Sequence, residues 1–153
     1  MKPNGSNPFP LSATLKDGTP IVIRRAAPRD ADGLARLDQE LVAEGLWTVR
    51  DPGERVSSVE ELKRIASYDA PDRLLLVALI RERVIGEVAL KAHKVARCAH
   101  VALISITVAV DFRSRGAGRA LMGAACNWAD THPSIEKLEL FVFANNDRAI
   151  SLY

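Results

Sequence analysis

Cysteine is scarce in this sequence: Cys98 and Cys126 are the only two among 153 residues. With no CxxC pair and no His/Cys cluster, they make neither a disulfide framework nor a zinc site, and no metal is expected. Charge of one sign is lacking too. The 21 basic side chains against 19 acidic leave a net charge of +2. That is too little for nucleic-acid binding, so any anion site must be local. Long apolar runs are missing: "LLLVALI", from Leu74, is much too short to cross a bilayer. The opening "MKPNGSNPFP" has no signal-peptide core and reads as a loose tail over residues 1–10. A soluble, reducing, cytoplasmic protein with no membrane partner is the expectation. What is present is ordinary for a globular protein, 48% hydrophobic and 26% charged, and the length suits a single domain over 1–153.

Periodicity organises that domain into alternating strands and helices. Asp17-Gly18 between two strand-like runs is a hairpin signal. "PRDADGLARLDQELVAEG" places Leu34, Leu37, Leu41 and Val42 on one helical face behind Asp30 or Asp32. In "SSVEELKRIASY" both Ser57 to Glu60 and Ser58 to Glu61 have capping-box spacing. "DRLLLVALI" and "RVIGEVALK" read as strands. So does "HVALISITVAV", whose Ile104, Ile106, Val108 and Val110 would share one apolar face. Ala117, Leu121, Ala125 and Trp128 then predict a helix to about Thr131. "KLELFVF", apolar at nearly every position, predicts a central strand, and Asn145 or Asn146 caps a short last helix. The fold class is α/β (α+β), a mixed, mostly antiparallel sheet flanked by helices.

Between the third of these strands and its helix lies "DFRSRGAGRALM". Strand, glycine-rich bend, helix is the geometry of a phosphate cradle. Glycine admits φ > 0 and close backbone approach, and the new helix contributes unpaired N–H groups and its dipole. Arg113, Arg115 and Arg119 can add formal charge, with Ser114, Gly116, Ala117 and Gly118 completing the loop. The Walker pattern GxxxxGK[ST] is absent. The dinucleotide fingerprint GxGxxG fails at its third position, which is Leu121. A turn whose glycines only ease helix packing is the plain alternative.

Taken together, "ITVAVDFRSRGAGRALM", the apolar strand after it and "FANNDRAISLY" resemble the GNAT family of N-acetyltransferases over about Thr19 to Tyr153. In that family [RQ]xxGx[GA] binds the pyrophosphate of acetyl-CoA, and Arg113, Gly116 and Gly118 match it. The resemblance implies that the strand before the bend splays from its neighbour. Pantetheine would then lie along the backbone of Ile106, Val108 and Val110, with the Val108 N–H facing the thioester oxygen. It also implies that Asn146 belongs to the cofactor site and that Tyr153 protonates the departing thiolate. The base is open. Where histone-type members carry a glutamate this chain has Ala102, leaving His100, or Glu87 working through water, as candidates.

The implied function is acetyl transfer from acetyl-CoA to a small-molecule or peptide amine by direct attack. A non-catalytic acyl-CoA-binding module is the alternative. The acceptor surface is expected at Gly45 to Val56, with Trp47, and Glu44, Asp51 and Glu54 could attract a cation. Relatives continue for about thirty residues, through two more strands. The chain is therefore expected to lack its last C-terminal strands, and a homodimer would be one way to cover the exposed strand edge.

Overall fold

The computed structural model describes residues 7–49, 51, 54 and 56–153. Strands β1 (Leu11–Thr14) and β2 (Pro20–Arg25) lead into helices α1 (Ala31–Glu44) and α2 (Ser58–Ser67). Strands β3 (Arg73–Ile80), β4 (Arg83–Ala92) and β5 (Val101–Val108) follow. Helix α3 (Ala117–Thr131), strand β6 (Lys137–Glu139) and helix α4 (Asp147–Leu152) complete the described chain. The six strands lie in one sheet in chain order. Every pairing is antiparallel except β5 with β6, which is parallel because α3 crosses over between them.

Local chemistry accounts for the boundaries. Gly18 takes φ +88° in the β1–β2 turn, where the Thr19 N–H is accepted by the Asp17 carboxylate at 3.0 Å. Helix α1 stops at Gly45, φ +69°, whose N–H reaches the Leu41 carbonyl. Of the two spacings that could cap α2, Ser57–Glu60 is used. The Ser57 hydroxyl accepts the Glu60 N–H at 3.2 Å, and the Glu60 carboxylate accepts the Ser57 N–H at 2.7 Å. Glu61 is turned inward instead, 3% exposed.

The sheet is covered on both faces. Leu121, Ala125 and Trp128 of α3 pack on Leu76, Val88, Leu90 and Ile104. On the other face Leu34 and Leu37 of α1 and Ile65 of α2 pack on Leu75, Val77 and Ala89. β3 is buried at each of its six inner positions for this reason, and its sequence shows no alternation. Among the described residues, no helix is long and apolar enough to cross a membrane.

Two expectations need correction, and both bear on the site. β5 ends at Val108. Val110 instead opens a 3-10 turn, Val110–Phe112, and is 49% exposed, so it is off the apolar strand face. The central strand expected over 137–143 is short and pairs on one side: β6 matches β5 only from Val101↔Lys137 to Leu103↔Glu139. Leu140–Phe143 then leave the sheet, with Phe141 81% exposed. The apolar run there lines a cleft rather than a core.

Candidate active site

The hydrogen-bond alternation of β5 decides which backbone groups are free. His93 N–H bonds to the Val101 carbonyl and Ala109 N–H to the Ile85 carbonyl, at the two ends of the β4–β5 ladder. In an antiparallel pair such bonds fall on every second residue, so the odd-numbered residues of β5 face β4. Ile104, Ile106 and Val108 therefore turn their N–H and C=O groups the other way, towards β6. β6 pairs only as far as Leu103. Past that point the two chains diverge and a cavity of about 480 Å³ fills the wedge. Its walls include Ile106, Thr107 and Val108 on one side and Phe141, Val142 and Phe143 on the other. The Val108 carbonyl accepts the Arg113 Nε–H at 3.1 Å, which leaves its N–H facing the wedge.

The glycine bend closes one end. Ser114 at φ 59° and Gly116 at φ 101° are both left-handed, on either side of Arg115. The first intrahelical bond of α3 runs from the Ala120 N–H to the Gly116 carbonyl, so the N–H groups of Ala117, Gly118 and Arg119 have no helical acceptor. Ala117 itself is fully buried and contributes only backbone here. A Cβ on Gly118 would meet Leu152 at 3.2 Å and Val108 at 3.7 Å, so this glycine lets α3 pack against α4 and β5. Ser114, Gly116, Gly118 and Arg119 all line the cavity.

The arginines divide differently from expectation. Arg113 makes a bidentate pair with Glu44 at 2.6 and 2.7 Å, and its guanidinium holds the Glu44 carboxyl below the usual range. Arg113 lines the cavity, but its charge is already balanced. Arg115 is paired with Asp17 and lies over the Phe112 ring, outside the cavity lining. Lys16 and Arg148 line the cavity together with Arg119.

Asn146 caps α4, its side chain accepting the Ala149 N–H at 3.2 Å, and it also lines the cavity. Tyr153 lines both this cavity and a second of about 500 Å³. Burial holds its hydroxyl above the ordinary phenol value. Leu41, Trp47, Ile106, Thr107 and Phe141 are also common to the two cavities.

The second cavity runs along α1, α2 and the sheet, and Glu87 of β4 lies in its wall. Glu87 is bound by Arg64 at 2.8 and 3.2 Å, and Arg64 also reaches Glu61 at 3.2 Å. Burial pushes the Arg64 guanidinium down, but Glu87 and Glu61 outweigh it and hold it above its ordinary value. Burial also pushes the Glu61 carboxyl up. His100 does not belong to this site. It sits just before β5, roughly 25 Å of strand away from Val108, where its carbonyl accepts the N–H groups of Glu136 and Lys137. Of the expected acceptor loop, positions 50, 52, 53 and 55 lie outside the described residues. Trp47 and Val56 do line the second cavity, while Asp51 and Glu54 are exposed, bond to one another and are not in its lining.

Residues 35–153 match the model of the Acetyltransferase (GNAT) family. The chain belongs to the GNAT family. It is similar to the L-amino acid N-acetyltransferase AaaT of Escherichia coli, 31% identical over 134 residues that cover 87% of this chain and 79% of the relative. A GNAT acetyltransferase structure from Streptococcus pneumoniae matches with TM-score 0.81 and 25% identity, covering 87% of this chain and 80% of that one. The fold also matches yncA from Salmonella typhimurium, a structure with its cofactor acetyl-CoA, at TM-score 0.74 and 17% identity, over 86% and 75% of the two chains. This GNAT chain is accordingly an N-acetyltransferase with an acyl-CoA cosubstrate. Its geometry fits such a group: an unpaired strand edge for amides, then a cradle of free N–H groups and cations for phosphates.

Sequence reasoning named Glu87 but missed Lys16, Arg148, Arg64 and the other carboxylates of the second cavity, Asp38, Glu60 and Glu61. Arg148 carried a signal, since it follows Asn146 in the last helix of the motif. Lys16 carried none, because 98 residues separate its neighbour Asp17 from Arg115.

Proposed function

We propose that this chain moves the acetyl group of acetyl-CoA to a primary amine by direct attack, with no acetyl-enzyme intermediate. The observation that carries the reading is the open edge of β5, where Ile106 and Val108 face a cavity shared with Tyr153 and the glycine bend. Acetyl-CoA, when bound, supplies an activated acyl group on a thiolate leaving group. Ile106 and Val108 would hold its amides, and the Val108 N–H is the donor left to polarise the acyl oxygen.

The acceptor amine has to lose a proton before it attacks. Glu87, held in place by Arg64, can take that proton through water. As the amine nitrogen bonds to the acyl carbon and the carbon–sulfur bond breaks, Tyr153 gives its proton to the thiolate. The remaining excess proton on nitrogen restores Tyr153 through solvent, so one proton is released overall. Neither cysteine suits a covalent route. Cys98 is exposed and lines neither cavity, and burial followed by the Asp130 charge raises the Cys126 thiol.

The acceptor enters the second cavity, where Arg64 is the one cation among the described lining residues. L-amino acids, named for the relative AaaT, are the first acceptors to test, with diamines and peptide N-termini beside them. The test is thiol release and product mass with acetyl-CoA and such a panel. One thiol per acetylated amine and intersecting initial-rate lines are expected. Parallel lines with activity lost in Cys126→Ala would overturn direct attack, and no product with any amine would overturn the reading.

A further inference from the structure

The β1–β2 turn is built against the glycine bend. The Lys16 N–H donates to the Arg115 carbonyl at 2.8 Å, and the Asp17 carboxylate pairs with the Arg115 guanidinium. Buried Leu15 anchors the turn from below, and the Gly18 N–H closes onto its carbonyl at 2.9 Å. These contacts place Lys16 on the rim of the cleft beside Ser114, Gly116 and Arg119. A Cβ added to Gly116 would find the Lys16 Cγ 3.7 Å away and the Lys16 nitrogen 3.9 Å away, so the two backbones run side by side.

Charge gives this placement its meaning. Two of the three arginines in the bend are balanced by carboxylates, Arg113 by Glu44 and Arg115 by Asp17. An anion with two charged phosphates held at this end needs cations from elsewhere. Asp17 does not compete for Lys16. The Thr19 N–H and then Arg115 hold the Asp17 carboxyl down at about 2, so the pair with Arg115 stays ionised at every working pH.

We propose that the β1–β2 turn is part of the acyl-CoA site and that Lys16 binds the diphosphate of the cosubstrate. This rests on the reading of the wedge as the acyl-CoA site. Arg115 then acts as a latch on the turn, holding Lys16 in place rather than touching phosphate itself.

The test is binding of three probes, CoA, 3′-dephospho-CoA and pantetheine, to the wild type and to Lys16→Ala, Lys16→Glu and Lys16→Arg. Calorimetry follows the first two, and NMR follows pantetheine. Lys16 is exposed on a turn, so the variants should fold. Lys16→Ala should weaken CoA and 3′-dephospho-CoA equally, by about 5- to 20-fold, as expected for one lost charge-assisted contact. Lys16→Glu should weaken both further, Lys16→Arg should restore most of the affinity, and pantetheine should bind all four proteins alike. Wild-type CoA affinity should also fall more steeply with salt than that of Lys16→Ala. Equal CoA affinity in the wild type and Lys16→Ala overturns the proposal, as does weakened pantetheine binding. A loss confined to CoA overturns the assignment to the diphosphate. A wild type that binds none of the probes overturns the acyl-CoA reading itself, a result distinct from the others.

Discussion

Gly116 is the residue on which the cradle turns. At φ +101° it occupies a region that a β-branched side chain enters only with strain, and its neighbour on the same rim is Lys16. Acetyl-CoA should raise the melting temperature of the wild type, because a ligand of the folded state alone stabilises it. In Gly116→Val that rise should vanish, and a variant that keeps it would show that the cradle lies elsewhere. Tyr153 is tested by a different quantity. Its hydroxyl, held above the usual phenol value by burial, keeps its proton through the neutral range. Tyr153→Phe should lower turnover by about 10- to 1000-fold while leaving acetyl-CoA affinity nearly intact, since the proton is needed only as the thiolate leaves. Unchanged turnover, measured where chemistry limits the rate, would remove Tyr153 from the reaction. The family resemblance pointed to Tyr153, and spacing made Gly116 legible. Neither revealed that Arg113 and Arg115 are paired, because their partners Glu44 and Asp17 are remote in sequence and meet them only once the chain is folded.

Among the elements, β5 carries the argument, and its two sides can be told apart. Thr107 faces β4 and bonds there, opposite Glu87, while Ile106 and Val108 face the wedge. Adding CoA should therefore slow amide exchange at Ile106 and Val108 and leave Thr107 as it was. Equal protection of all three amides, or of none, would show that the cosubstrate does not run along this edge. The helices were readable from their ends, as the capping box at Ser57 shows, because caps are local chemistry. Strand ends were less readable. "ITVAV" continues its alternating pattern through Val110, yet the ladder stops at Val108, where the chain must turn into the bend. "KLELFVF" misled for a related reason: an apolar run records burial against something, and here part of it faces a cavity instead of a neighbouring strand.

On the scale of the whole molecule, the site exists because two adjacent strands part, and α1 is fastened across the fold at both of its ends. Glu44 ties its last turn to Arg113 of the bend, and Asp30, just before its first turn, ties it to Arg24 of β2. The second tie is the more enclosed. Asp30 is 4% exposed, takes Arg24 at 2.7 and 2.9 Å, and also accepts the Ala27 N–H at 2.7 Å. Burial alone would raise its carboxyl, but the hydrogen bonds from Arg24 and Ala27 and the Arg24 charge outweigh that and hold it below the usual value. A carboxyl depressed in the folded state contributes stability above its unfolded pKa, near 3.9. That contribution is lost as pH falls through the folded value. Asp30→Asn should therefore cost about 2–3 kcal/mol at pH 7, the range for breaking a charged, largely buried hydrogen-bonded pair. The gap between variant and wild type should begin to close as pH drops below about 4, where the unfolded chain takes up the proton, and go on closing as pH falls through the lower folded value. Urea unfolding at pH 7, 5 and 3 measures both curves. A gap that stays the same at pH 3 would mean that Asp30 holds α1 by shape rather than by charge.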